Sequence, residues 1–261
     1  MKKVFAVLLA LAFAVSLAAC SSGGVSQSEY DAVVAERDQL KQQLEALQQT
    51  DAGSPSLAAS SENVVNQEKT DYQPLVLLDS GYSLSQTSRY MLVSYAVQIE
   101  NPNADAAVQY PKIIITARDE SGKILSNEEQ ILMGIAAGDT ITYGNYFTYE
   151  GALASTVEIS VSTGDDNYTQ QDDASFPKTE VFTFSNTSET PNGVTGEITN
   201  ASAADFSSVA VSLIYKKEGR LLGGTTDYID DLAAGSTQVF DIRGSQAITD
   251  YDEIELRGMV W

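Results

Sequence analysis

Histidine is absent from these 261 residues, and cysteine occurs once. Without an imidazole, no Ser-His-Asp triad, Cys-His pair or HExxH zinc site can be assembled. A single thiol makes neither an intrachain disulfide nor a thiolate metal cage. Positive charge is scarce as well: 15 Lys and Arg stand against 36 Asp and Glu, a formal charge of −21 and a pI near 4.1. A surface of that sign repels phosphate backbones, which argues against nucleic acid as a partner. After the first 20 residues no apolar run approaches the roughly 18 residues that a helical membrane span needs. What is present, 43% apolar residues, suffices for one large or two modest cores.

The first 19 residues read as a secretory signal. Lys2 and Lys3 form the positive n-region, and Val4 to Ala19 is apolar except for Ser16. The segment ends Leu17-Ala18-Ala19-Cys20, which resembles the bacterial lipobox. That resemblance implies a signal peptide over 1–19, acylation of Cys20 and a mature chain held on the extracytoplasmic face of the cell membrane. Two or three acyl chains, at about 0.8 kcal/mol per buried methylene, give a stable anchor where one chain does not.

Residues 20–25 form a polar spacer, and Ser26-x-x-Glu29 reads as a capping box that opens a helix. Tyr30, Arg37 and Leu44 fall seven apart, as do Val33, Leu40 and Leu47, the a and d positions of a short coiled coil over 26–49. Glu36 at g and Lys41 at the next e suit pairing across a parallel dimer, so self-association through this helix is one expectation. A lone amphipathic helix is the other. Residues 50–70 are rich in Ser, Ala and Gly and read as a flexible linker.

Beyond residue 70 the chain repeats itself. Ile135-Ala-Ala-Gly138-Asp-Thr140 recurs as Leu232-Ala-Ala-Gly235-Ser-Thr237, Gly122-Lys-Ile-Leu125 as Gly219-Arg-Leu-Leu222, and Val157-Glu-Ile159 as Ile254-Glu-Leu256. Val97-Gln-Ile-Glu-Asn101 matches Gly196-Glu-Ile-Thr-Asn200. Within each copy the apolar period is two: Met91, Val93, Tyr95, Val97 and Ile99 in the first, Val209, Val211, Leu213 and Tyr215 in the second. Such alternation predicts strands with one buried face, and turn formers between them predict a two-sheet sandwich per copy. The expected fold is all-β, with two tandem antiparallel β-sandwiches over 71–169 and 176–261 and an acidic joint at 170–175. The first carries 13 acidic and 4 basic side chains and the second 13 and 6, so mutual repulsion predicts a hinged pair.

Val194-Thr-Gly196-Glu-Ile-Thr-Asn200, Val209-Ala-Val-Ser-Leu-Ile-Tyr215 and Leu232-Ala-Ala-Gly235-Ser-Thr-Gln-Val-Phe240 together resemble an FxLYD domain. The first copy, with Asn101, Asp119, Gly122, Gly138 and Tyr143, is similar but more diverged, and is equally comparable with the telokin-like sandwiches of Gram-positive lipoproteins. The resemblance implies immunoglobulin-like sandwiches in envelope proteins, often lipoproteins. Its motif positions are structural and carry no catalytic residue across.

Three kinds of site remain to be weighed. A glycosidase needs two carboxylates about 5–10 Å apart, one with a raised pKa, and no pair here is so marked. Asp227, Asp230 and Asp231, or the joint residues Asp165, Asp166, Asp172 and Asp173, are weak candidates for calcium, since none fits the DxDxDG spacing. Tyr146, Phe147 and Tyr149 have no aromatic counterpart in the second copy, where Arg243 and Gly244 fall opposite the first two. They are candidates for stacking on a sugar or anchoring a protein, or else for filling the first copy's own core. Tyr143 aligns with Phe240 and is expected in the core, and Trp261 is expected to cover the end of its own sandwich. No cofactor is implied. The expectation is a non-catalytic, lipid-anchored binding or scaffolding module for an envelope protein or glycan. A carboxylate- or metal-dependent hydrolase and a structural spacer are the alternatives.

Overall fold

The computed structural model describes residues 72–164, 167–170 and 176–261. The signal segment with Cys20, the 26–49 helix, the 50–70 linker and the four joint aspartates lie outside the described residues.

The described chain is all-β, and its strands pair in antiparallel ladders. The first half contains β1 (Val76–Gln86), β2 (Met91–Glu100), β3 (Ala106–Gln109), β4 (Lys112–Arg118), β5 (Ile124–Ile131), β6 (Gly134–Ile135), β7 (Thr140–Tyr149), β8 (Thr156–Ser162) and β9 (Tyr168–Gln170). They form sheets ordered β1-β2-β7, β5-β4-β8 and β6-β3-β9. The second half contains β10 (Phe182–Thr190), β11 (Gly193–Asn200), β12 (Phe206–Lys217), β13 (Arg220–Leu232), β14 (Thr237–Arg243) and β15 (Glu253–Val260). Its sheets are ordered β10-β11-β14 and β13-β12-β15, the same plan with a longer central hairpin. The matched segments Val157-Glu-Ile159 and Ile254-Glu-Leu256 occupy equivalent third strands, β8 and β15.

Alternation explains the packing. In β11, Val194, Gly196, Ile198 and Asn200 are buried and the residues between them are not. One sandwich-like core gathers Val93, Val97 and Ile99 of β2 with Ile113 and Ile115 of β4 and Tyr143 of β7. The other gathers Val194 and Ile198 of β11 with Val209, Val211 and Leu213 of β12 and Phe240 of β14. Tyr143 and Phe240 are both buried, as their alignment predicts. Where β12 runs unbroken, the first half is split into β3 and β4 at Tyr110-Pro111. Tyr110 adopts φ 51°, and Pro111 has no N–H for the ladder.

The repeated Asn and Ala-Ala-Gly segments prove to be two parts of one device. Asn200 is fully buried. Its Nδ2 donates to the carbonyls of Ala204, Leu232 and Ala233 at 2.8, 3.3 and 3.2 Å, while Oδ1 accepts from Ser202 N and Oγ. Asn101, also fully buried, donates to Ala106, Ile135 and Ala136 at 2.8, 3.3 and 3.0 Å and accepts from Asn103 N and Nδ2. In each half one amide ties the end of a strand to the turn ahead of the next. The glycine of that turn sits at φ 62° (Gly138) or 67° (Gly235), left-handed values that side chains other than glycine's resist.

A hinged pair is not what the structure has, because Gln67–Trp261 is one compact unit. β13 crosses all three strands of the β1-β2-β7 sheet. Leu221 lies against Gly81 of β1, Gly223 against Ser94 of β2, and Gly224 against Gly144 of β7. A Cβ on Gly144 would come within 2.7 Å of Ile214 Cδ1 and 2.9 Å of Gly224 Cα, so only bare backbone fits. Polar groups there pair across the junction. Ser94 Oγ donates to Gly224 O at 2.7 Å and accepts from Gly224 N at 3.1 Å, and Thr226 Oγ1 donates to Gly144 O at 2.6 Å. Among the described residues no charged residue is fully buried, and the most enclosed carboxylate of an ion pair, Glu255, is paired with Lys216 and Arg257.

Trp261 also differs from expectation. It packs on the first half's core rather than capping its own. Its ring stacks on Tyr143 at 6.1 Å and lies 5.2 Å from Tyr228.

Candidate functional site

The crossing of β13 over the first sheet leaves a cleft of about 460 Å³ beside it. The first half contributes Leu92 and Tyr146. The second contributes Thr225, Thr226 and Asp227 from β13, Asp241 and Arg243 from β14, and the loop that follows. A second cleft of about 610 Å³ opens on the other side of that loop, between the β10–β11 turn and the strand-free stretch before β15. Arg243, Gly244, Ser245 and Gln246 wall both clefts. Tyr215 and Tyr251 line the second, with ring centroids 4.8 Å apart at 68°. Glycine at 244 lets the loop lie on Tyr215, since a Cβ there would come within 2.6 Å of the Tyr215 hydroxyl.

The three aromatic candidates separate. On β7 the side chains alternate between the first half's core and the junction. Tyr146 is half exposed and stands in the first cleft. Phe147 packs against the core, 6.5 Å from Tyr95, and Tyr149 is buried with its hydroxyl donating to Ala152 O at 3.0 Å. The acidic candidates separate too. Asp227 lines the first cleft, whereas Asp231 lines a shallow depression with Asp205 and Phe206. The carbonyls of Asp230 and Asp231 accept from Gln238 Nε2 at 3.3 and 3.0 Å. Among the described residues no three His, Cys, Asp or Glu side chains come together as a metal site.

The sequence reading brought Tyr146 and Asp227 forward for different reasons, and the fold puts them in one cleft. It missed Asp241, Arg243 and Gln246. The available signal was the alignment of Tyr146 with Arg243, equivalent positions that end up facing the same space.

The charged groups lining the clefts are Asp227, Asp241 and Arg243, while buried phenols of the first half's core and of the second cleft are held neutral. Burial, with hydrogen bonds and nearby charge as smaller contributions, pushes the Tyr95 and Tyr143 phenols well above their ordinary value. Tyr143 also shares a hydrogen bond with Tyr228, which burial likewise raises. Tyr215 is raised mainly by burial, and so is Tyr251, whose hydroxyl donates to Glu189 Oε2 at 3.2 Å. These phenols stay protonated at neutral pH, where they serve as flat surfaces and hydrogen-bond donors rather than as bases. Among the described residues, Arg243 is the one Lys or Arg lining either cleft, and it forms no ion pair. Several cations elsewhere are paired, as with Lys216 and Arg257 on Glu255 or Arg118 on Glu158.

No family model matches this chain, and no curated protein matches it significantly.

Proposed function

We propose that this protein is a non-catalytic binding module of the cell envelope, tethered to the membrane through acylated Cys20. In this reading residues 26–49 and 50–70 form a coiled-coil stalk and a linker. The two halves are tandem immunoglobulin-like β-sandwiches, and the cleft at their junction receives an envelope protein or glycan. One observation carries the binding reading: Tyr146 from the first half meets Asp227, Asp241 and Arg243 from the second in a single open cleft. A half-exposed aromatic ring beside an unpaired guanidinium is a typical recognition surface.

The test is a photo-crosslinking amino acid at position 146 in intact cells, with the same group at the exposed Ile124 as control. Adducts from position 146 and not 124 are expected. Equal labelling, or none, would remove the cleft from the account. Cys20→Ser is expected to release the chain from membranes, and continued firm attachment would contradict the anchor.

A further inference from the structure

We infer that the ligand is a glycan with spaced carboxylates, lying across both clefts with one acid group on Arg243. The inference rests on the binding role proposed above and names the chemistry of what is bound. The two clefts share the wall formed by Arg243 to Gln246, so one extended ligand passing over that wall would reach both. Their surfaces suit a polyhydroxyl chain. Tyr146 and Tyr251 offer ring faces for the C–H faces of sugars, and Asn192, Gln246 and Thr249 offer amides and a hydroxyl for sugar hydroxyls. The aliphatic residues behind these surfaces, Val194, Ile242 and Ile248, are buried in the core. Only Leu92 and Ile254, both half-buried, remain as aliphatic lining, so a peptide anchoring through aliphatic side chains has little to insert into.

Charge then selects among glycans. The surroundings are strongly acidic, with Asp227 and Asp241 in the first cleft itself. A densely charged polyanion is repelled from such a site. A chain with neutral sugars between its acids can place one carboxylate on Arg243, whose planar guanidinium takes it in a two-point contact. Its neutral sugars then lie beside the aspartates, which accept hydrogen bonds from sugar hydroxyls.

The full chain is titrated calorimetrically with two hexasaccharides that both contain N-acetylglucosamine. One is neutral chitohexaose, and the other is a hyaluronan hexamer in which glucuronate alternates with N-acetylglucosamine. The hyaluronan hexamer is expected to bind more tightly. Arg243→Gln should weaken it by about tenfold and leave chitohexaose unchanged, while Tyr146→Ala should weaken both. Circular dichroism of each variant shows that folding is retained. Equal affinity for the two sugars, or indifference to Arg243→Gln, overturns the carboxylate assignment. If neither sugar binds while position 146 still captures a protein in cells, the glycan assignment fails and the binding role stands. If position 146 captures nothing in cells either, the binding role fails with it.

Discussion

Asn200→Ala should be among the most damaging single substitutions in this chain, although it removes only a small amide. The side chain is fully buried, so water does not replace what is lost. Truncation strips donors from the carbonyls of Ala204, Leu232 and Ala233 and removes the acceptor for Ser202 N. The bond to Ala204 O, at 2.8 Å, is strong, and those at 3.3 and 3.2 Å are weaker. Ala233 O keeps its bonds from Ser236 N and Oγ, so the loss falls chiefly on Ala204 O, Leu232 O and Ser202 N; an unpaired buried polar group costs about 1–3 kcal/mol, and the low end for each gives about 3 kcal/mol in all. For a unit of this size that lowers the melting temperature by about 6–12 °C. Urea titration followed by circular dichroism measures the change. Asn101→Ala should cost nearly as much, because its bonds repeat the same pattern. Asn200→Asp should be worse than Ala at neutral pH, as it sets a carboxylate against three carbonyls, and should recover in part when acid protonates it. A cost below 1 kcal/mol for Asn200→Ala, or a large cost at one asparagine and none at the other, would refute the shared-device argument.

Three more expectations concern the junction and the buried phenols. Gly144→Val should destabilise the protein by at least about 2 kcal/mol, since its side chain meets Ile214 and the Gly224 backbone; a red shift in Trp261 emission reports the opening, Trp261 being the chain's one tryptophan. Trp261→Ala should cost about 2–3 kcal/mol and loosen the first half, which hydrogen exchange at β7 would reveal as faster exchange there than at β11. Tyr95 and Tyr143 hold their protons in the fold beyond the pH at which the unfolded chain releases them, so their stabilising contribution is intact below about pH 10 and is lost as the pH climbs towards the folded values. Each phenol steepens that loss by about 1.4 kcal/mol per pH unit, and Tyr143→Phe should flatten the alkaline limb of stability against pH.

Much of the strand layout is legible in the sequence. The period-two run Met91 to Ile99 is β2, and Val209 to Tyr215 lies within β12. The repeated Asn and Ala-Ala-Gly segments stand out as sequence marks, though their mutual hydrogen bonds become visible only in three dimensions. The junction was hidden by a physical ambiguity. Ser94 and Ala96 alternate with the apolar residues of β2, and small or polar residues on a strand ordinarily face water. Here they are buried against β13. Trp261 gave no hint of its partner because contact with Tyr143 depends on how the two halves pack. The cleft was half legible. Tyr146 stood out as an aromatic that its repeat lacks, yet alternation along β7 sends Phe147 and Tyr149 to the core, and nothing local marks Arg243.

The account turns on the two halves forming one body, for only then do Tyr146 and Arg243 share a cleft. Differential scanning calorimetry of the purified protein tests this most directly. A single transition for residues 72–261, with calorimetric and van't Hoff enthalpies that agree, is predicted. Gly144→Val should split or broaden it. Two independent transitions in the unaltered protein, insensitive to that substitution, would contradict the shared cleft and the recognition role built on it.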